Sequence, residues 1–287
     1  MTKNDATERY WRTEISEITP ETVYIRGYKL DDLIGVPFTA AVYLMIKGRL
    51  PSPQETKVLD AVMTGVLDYG LEKSGTAAAR YVVSCNPNVQ AGIAAAALSA
   101  GDYGLATENT ARFIGDTYAQ YQASGAMDMD DFAAQVVAEA RAKKQRIPGF
   151  GHQVFKKVDP RAQILKRIAV EAGLWGEPVQ LYEAVHRAFI KLPGREEFPI
   201  NDVAVIAAIT VAMGFTPEES TALAILGTLP GIIAHVSEEF ASRKVQRLIP
   251  PATVNYDVPR RDLAADLVAA GWPASEVPEP AGTGLVR

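Results

Sequence analysis

The chain has 287 residues, with 48% hydrophobic and 22% charged side chains and a formal net charge of −5. That is the composition of a folded globular protein with one large domain, or a large and a small one. The acidic balance leaves no electrostatic footprint for nucleic acid or an anionic membrane surface, and the lone cysteine, Cys85, excludes an internal disulfide framework and thiolate zinc sites.

The start, MTKNDATERYW, carries charges where a signal peptide needs an apolar run, so a cytoplasmic protein is expected. Thr22–Arg26 is the one segment that looks like a strand. Ser52-Pro53-Gln54-Glu55 then gives a capping Ser, a Pro at the first helical position and a Glu placed to close a capping box. Val58, Leu59, Val62, Met63, Val66 and Leu67 follow at helical spacing. Val89–Ala100, VQAGIAAAALSA, has no polar face, which predicts a central core helix or a subunit interface. A helix over Asp131–Lys144 ends in a basic run and a Pro-Gly turn, and a domain boundary is expected there. Asp159-Pro160 and Thr216-Pro217-Glu218-Glu219 repeat the helix-start signal. Val203–Phe215 is the most apolar stretch, too short to span a bilayer, and reads as a buried core helix. The final PASEVPEPAGTGLVR crowds Pro and Gly and is expected to be disordered. Together these signals predict an all-α fold.

Two nucleotide signals fail. Gly149-Phe150-Gly151 lacks the third glycine of a dinucleotide fingerprint and follows a helix, and no GxxxxGK[ST] occurs. No nucleotide cofactor is expected.

The most informative segment is Ile147-PGFGHQVFKKVDPRAQILK-Arg167. Its Pro-Gly-Phe-Gly turn frees backbone amides and lets a ligand approach. His152 follows on a turn, and Asp159-Pro160 starts a helix whose first turn carries Arg161. A histidine beside open backbone, with an arginine at a helix start, suits a substrate rich in carbonyl and carboxylate oxygens. The same residues suit a surface loop with a capping Asp, and spacing alone does not choose between the two.

GFGHQVFKKVDPRAQILK resembles the motif of the citrate synthase superfamily, GxGH followed by a basic stretch and DPR. GVPFTAAVYLMIKGRLPSPQE resembles that superfamily's early helix, FPIND its catalytic-aspartate stretch, and PGIIAHVSEE its late helix. The similarity runs from about Tyr24 to Pro251, and the compact length looks more like citryl-CoA lyases than full-length citrate synthases. The resemblance implies a helical homodimer acting on a coenzyme A thioester and an oxo-acid through an acetyl-CoA enolate, without a metal. It implies a large domain over 1–144 and 224–287 and a small one over 145–223. His152 would polarise the oxo-acid ketone or handle the hydroxyl proton. Asp202 would take or return the proton at the thioester methyl carbon, and Arg161 would bind a carboxylate. A carboxylate among Phe198, Pro199 and Val203 would be partly desolvated, which strengthens it as a base; a helix N-cap is the bland role for the same Asp202. Coenzyme A would lie along Ile147, Pro148, Gly149, Phe150 and Gly151, with its phosphates near Lys143, Lys144, Arg146 or Lys157. A solvated basic helix end is the plain alternative for those cations.

Three positions depart from the pattern. Gly104 stands where citrate synthases place a histidine at the thioester oxygen, with Tyr103 before it as a replacement donor or a buried structural tyrosine. Tyr69 stands where the substrate histidine of the preceding helix falls. Thr228 matches the late-helix arginine, and a hydroxyl has neither its charge nor its fork. Fewer carboxylates than citrate, or a different arrangement of them, is the simplest inference. These losses also suit a non-catalytic homologue that binds CoA or a partner, against which stands the retention of His152, Asp202 and Arg161 together. His235 with Glu238 and Glu239 is read as a packed histidine beside a solvated face rather than a metal site, His186 as an ordinary amphipathic-helix residue, and Cys85 as buried and inert.

Overall fold

The computed structural model describes residues 11–125, 127–242 and 246–279. The first ten residues, read above for a targeting signal, and the last eight of the Pro/Gly-rich tail lie outside the described residues. The chain divides into two compact units, Met1–Gln246 and Arg247–Arg287; positions 144/145 and 223/224, expected as domain limits, fall inside the first.

The first unit opens on a small antiparallel meander of β1 (Ser16–Ile18), β2 (Val23–Ile25) and β3 (Tyr28–Lys29), with Glu17 opposite Tyr24 and Tyr24 opposite Lys29. Only β2 was legible as a strand. Arg26 and Gly27 both take positive φ, 48° and 86°, which gives the tight β2–β3 turn its hand.

The rest is helical: α1 (Leu30–Leu33), α2 (Phe38–Lys47), α3 (Pro53–Gly65), α4 (Ser74–Cys85), α5 (Val89–Leu98), α6 (Thr107–Ala123), α7 (Met129–Ala142), α8 (Pro160–Glu171), α9 (Glu177–Phe189), α10 (Asp202–Ala212) and α11 (Pro217–Ala241). The second unit holds α12 (Leu263–Ala269). The three expected start signals operate as read. Ser52 and Glu55 close a capping box on α3, Thr216 and Glu219 close one on α11, and Asp159 caps α8.

The apolar run 203–215 forms the centre of the unit. Val205, Ile206 and Ile209 of α10 pack into a core with Val58, Leu59, Val62, Leu165 and Leu223, drawn from α3, α8 and α11. Ala204 and Ala208 face a second core with Ile114, Val137, Val179 and Leu181, from α6, α7 and α9. A helix without a polar face is thus buried on both sides, as expected. Among the described residues α11 has the length and apolarity to cross a bilayer. Here it packs Leu223, Ala224, Ile232 and Val236 against other helices and buries Glu239 in an ion pair with Arg80. Helix α5 differs from a core helix, since only Gly92 and Ala96 are buried.

Candidate active site

The site is assembled where two chain segments zip together. Gly149 and Gly151 take φ of +84° and +96°, and between them Phe150 bridges Ile200 in antiparallel fashion. Gly151 N donates to Pro199 O at 2.8 Å, and Asn201 N donates to Gly149 O at 3.1 Å. Asn201 Nδ2 adds a bond to Gly151 O. The turn that presents His152 is therefore fastened to the strand that leads into α10.

That pairing sets Asp202 at the first turn of α10. Asn201, not Asp202, is the N-cap, since its side chain accepts from Ala204 N at 2.9 Å. The bland role proposed for Asp202 is filled by its neighbour, which leaves the Asp202 carboxylate available for chemistry. It is 3% exposed, and burial pushes its pKa up, against the opposing pull of Arg161.

Asp159 joins the two helix starts. It is fully buried, accepts from Arg161 N at the beginning of α8 and from Asp202 N at the beginning of α10, and holds the Arg161 side chain through Nε at 3.3 Å and Nη2 at 3.2 Å. Arg161 reaches Asp202 Oδ2 with Nη1 at 3.2 Å and lies 3.2 Å from His152 Nε2 with Nη2. Ligand-type atoms of His152, Asp159 and Asp202 lie within 4.8 Å of one another. The Arg161 guanidinium touches all three, so the positive charge among them is the arginine's.

The amides of Val154 and Phe155 both donate to His152 Nδ1 at 3.0 Å. Nδ1 must then be an acceptor, and a neutral imidazole carries its proton on Nε2. His152 Nε2–H and the outer edge of Arg161 are two donors converging on one space. An oxygen placed there satisfies both.

Tyr69 completes the cluster. Its ring carries the Arg161 guanidinium at 5.5 Å, and burial followed by the Asp202 charge pushes its phenol pKa up. The loop bearing it is held by α11. Pro230 lies inside that helix, and Gly231 N donates to Leu67 O at 3.0 Å. A Cβ at Gly231 would sit 2.2 Å from that oxygen. His235, one turn on, pairs with Asp68 at 3.2 Å, while Glu238 and Glu239 pair with Arg80.

The remaining expected residues lie as follows. Tyr103 is not a buried tyrosine: it is 96% exposed, on a turn where Gly104 pairs with Gly101. A side chain at Gly104 would press on Ser99 O at 3.2 Å. The Thr228 hydroxyl is spent on Ile225 O of its own helix. Ile147 and Phe150 are buried in the second core, and Pro148 O accepts from Tyr182 Oη at 2.7 Å. Pro148 O, Gly149 O and both polar groups of Gly151 are thus bonded within the chain. Lys143, Lys144, Arg146 and Lys157 are exposed, with Lys143 beside Glu139 and Lys157 beside Glu197. Cys85 is exposed at the end of α4, not buried. His186 is more than a helix-face residue: its Nε2 lies 2.8 Å from Phe198 O and its ring stacks edge-on to Phe150 at 4.8 Å, so it ties α9 to both site segments. Burial lowers its pKa. The Asp-Pro start did point to Asp159 as a cap; nothing in the sequence pointed to His186.

The chain belongs to the citrate synthase family: residues 51–252 match the model described as citrate synthase, C-terminal domain. Among solved structures it is similar to citryl-CoA lyase from Hydrogenobacter thermophilus, at 34% identity and a TM-score of 0.79, covering 91% of this chain and 100% of that one. ATP citrate lyase from Methanothrix soehngenii, solved with citrate and coenzyme A, shares the fold at 21% identity and a TM-score of 0.73, over 88% of this chain and 42% of that one. Among curated relatives, citrate synthase 2 of Bacillus subtilis (strain 168) is 26% identical over 205 residues, 70% of this chain and 52% of the relative. The chain therefore spans about half the length of that relative.

Proposed function

We propose that the chain makes or breaks the C2–C3 bond of a 3-hydroxyacyl-CoA, interconverting it with acetyl-CoA and an oxo-acid in the manner of a citryl-CoA lyase. The observation that carries this reading is the arrangement of His152 Nε2 and Asp202 Oδ2 on either side of Arg161, each 3.2 Å from its terminal nitrogens. In the condensing direction Asp202 takes a proton from the thioester methyl carbon. The enolate carbon attacks the oxo-acid carbonyl, whose oxygen takes the His152 Nε2 proton to become the hydroxyl, and the proton gained by Asp202 balances it through exchange with solvent. Arg161 holds the acid's carboxylate, and cleavage retraces the path with Asp202 returning the proton to carbon. No water or co-reactant is consumed.

The coenzyme A portion is proposed to pass the outer side of the turn Ile147–Gly151, with phosphates near Arg146, Lys157, Lys143 or Lys144. Support comes from the relatives described with coenzyme A and from the exposure of all four cations.

A binding protein without turnover is the rival reading. Against it stands Asp202: a carboxylate whose pKa is raised by burial costs stability at neutral pH, and a mere binder has no use for one. The test is to incubate the protein with citryl-CoA and related 3-hydroxyacyl-CoAs and follow acetyl-CoA by mass spectrometry. Acetyl-CoA release from one of them is the expected result. Tight CoA binding with no release from any would favour the rival.

A further inference from the structure

The geometry points to Lys73 as a second carboxylate grip for the acceptor half of the substrate, on the same tyrosine ring that carries Arg161. This rests on the reading under Proposed function.

Arg161 has five N–H groups in a planar fork. Asp159 takes the side edge through Nε and Nη2, and Asp202 stands beside Nη1. Tyr69 lies 5.5 Å and Phe155 5.6 Å from the guanidinium carbon. The second N–H of Nη2 points at His152 Nε2 at 3.2 Å, so what remains is one N–H of Nη1 on the terminal edge, room for a single carboxylate shared with His152. That edge runs past His152 Nε2, so the carboxylate it holds belongs on the carbon bearing the hydroxyl. Arg161 is the one cation in contact with His152, Asp159 and Asp202, and the first carboxylate occupies it. A second carboxylate has no counter-charge in this cluster.

Lys73 supplies one. Its ammonium stands 6.0 Å from the Tyr69 centroid. It is exposed, and no acid lies within ion-pair range of it among the described residues. It occupies the N-cap of α4 without a side-chain cap bond, so no structural duty competes for it. α4 also has no acidic residue in its first turn, which keeps the positive end of that helix unneutralised beside the ammonium. A lysine is a mobile point charge rather than a fork, which suits a carboxylate carried on a flexible methylene. The acceptor class is then an oxo-dicarboxylate: one carboxylate beside the ketone on Arg161, the other reaching Lys73 along Tyr69.

Two thioesters separate this from other roles: citryl-CoA, and its analogue with methyl in place of the carboxymethyl group at C3. Lys73→Met should lower kcat/KM for citryl-CoA by about 10- to 100-fold, mainly through KM, as expected for loss of a charged hydrogen bond. The loss on citryl-CoA should exceed that on the analogue by about tenfold or more, and Lys73→Arg should recover most of it. Thermal melts accompany the kinetics, and an exposed helix-start position should leave them near wild type. Equal losses on both thioesters, or a loss mirrored in calorimetric CoA affinity, would put Lys73 on the coenzyme and overturn the inference. Wild-type protein that cleaves both thioesters without preference overturns it too, while leaving the reaction class intact. Wild-type protein that cleaves neither overturns the reaction class, and this inference with it.

Discussion

Asp202 and His152 sit on either side of one guanidinium but answer to different protons. Burial raises the Asp202 pKa above that of an unfolded chain, so the native state holds the proton more firmly between the two values. Ionised Asp202 therefore costs stability above its raised pKa, and the cost fades as the pH falls through it. Asp202→Asn removes the charge and keeps the shape, while Arg161 retains Asp159. The variant should melt no lower than wild type near neutral pH, yet lose exchange of thioester methyl protons with deuterated water by about 10²–10⁴-fold. A lower melting point with exchange intact would make Asp202 a structural residue. His152→Ala should separate the two half-reactions the other way. Its Nε2–H serves the acceptor oxygen, so cleavage should fall by about 10²–10⁴-fold while part of the methyl exchange persists. Both exchange assays include an oxo-acid, so that an empty acceptor site does not limit either.

At the scale of elements, the glycines of the GFGH turn act through packing. A Cβ at Gly149 would meet Tyr182 Oη at 2.2 Å and Ala204 at 2.5 Å, and one at Gly151 would meet the Phe198 ring at 2.9 Å. The expectation that Gly151 opens the backbone to a ligand is thus replaced by a close approach of protein to protein, and Gly151→Val would disturb the fold as well as any ligand. Gly149→Ala should cost about 2–4 kcal/mol in urea unfolding, from positive-φ strain plus overpacking. Gly115→Ala, in the exposed middle of α6 with nothing within 4 Å of the new methyl, should instead stabilise by about 0.5–1 kcal/mol. The reverse order would contradict the packing described here. The helix starts were legible because a cap, a proline and a box glutamate act within four residues. The apolar run of α10 was legible because burial on all sides needs only composition. β1 and β3 were not, since Ser-Glu-Ile and Tyr-Lys are too short and polar to alternate. The motif placed His152, Arg161 and Asp202. It could not show that Asn201 takes the cap, that Asp159 bridges two helices, or that His186 clasps the Phe198 strand, because each depends on a neighbour distant in sequence.

At the scale of the whole molecule, we propose that two copies pair through the layer of α4, α5 and α11. Ala79 and Val83 of α4, Ala96 of α5, and Ile232 and Val236 of α11 form a small core of their own. The outer side of the same helices is apolar and unpartnered. Leu98 is 86% exposed, and Tyr81, Val82, Val89, Ile233 and Phe240 are exposed with it. Exposed apolar side chains gathered on one layer of helices mark an interaction face. The alanines of α5 let a facing helix come close without steric cost. A homodimer joined by one self-complementary patch is the commonest closed assembly, and such a dimer would cover this face. Sedimentation velocity at low micromolar concentration should show a dimer, and the melting temperature should rise with protein concentration, because association stabilises only the native state. Ala94→Arg, which places a guanidinium on the exposed face of α5, should yield a monomer. Its methyl-exchange activity then reports whether the Asp202 site is complete within one chain. A wild-type protein that sediments as a monomer, with a melting point independent of concentration, would remove this face as a dimer interface and leave the composition of α5 without an explanation.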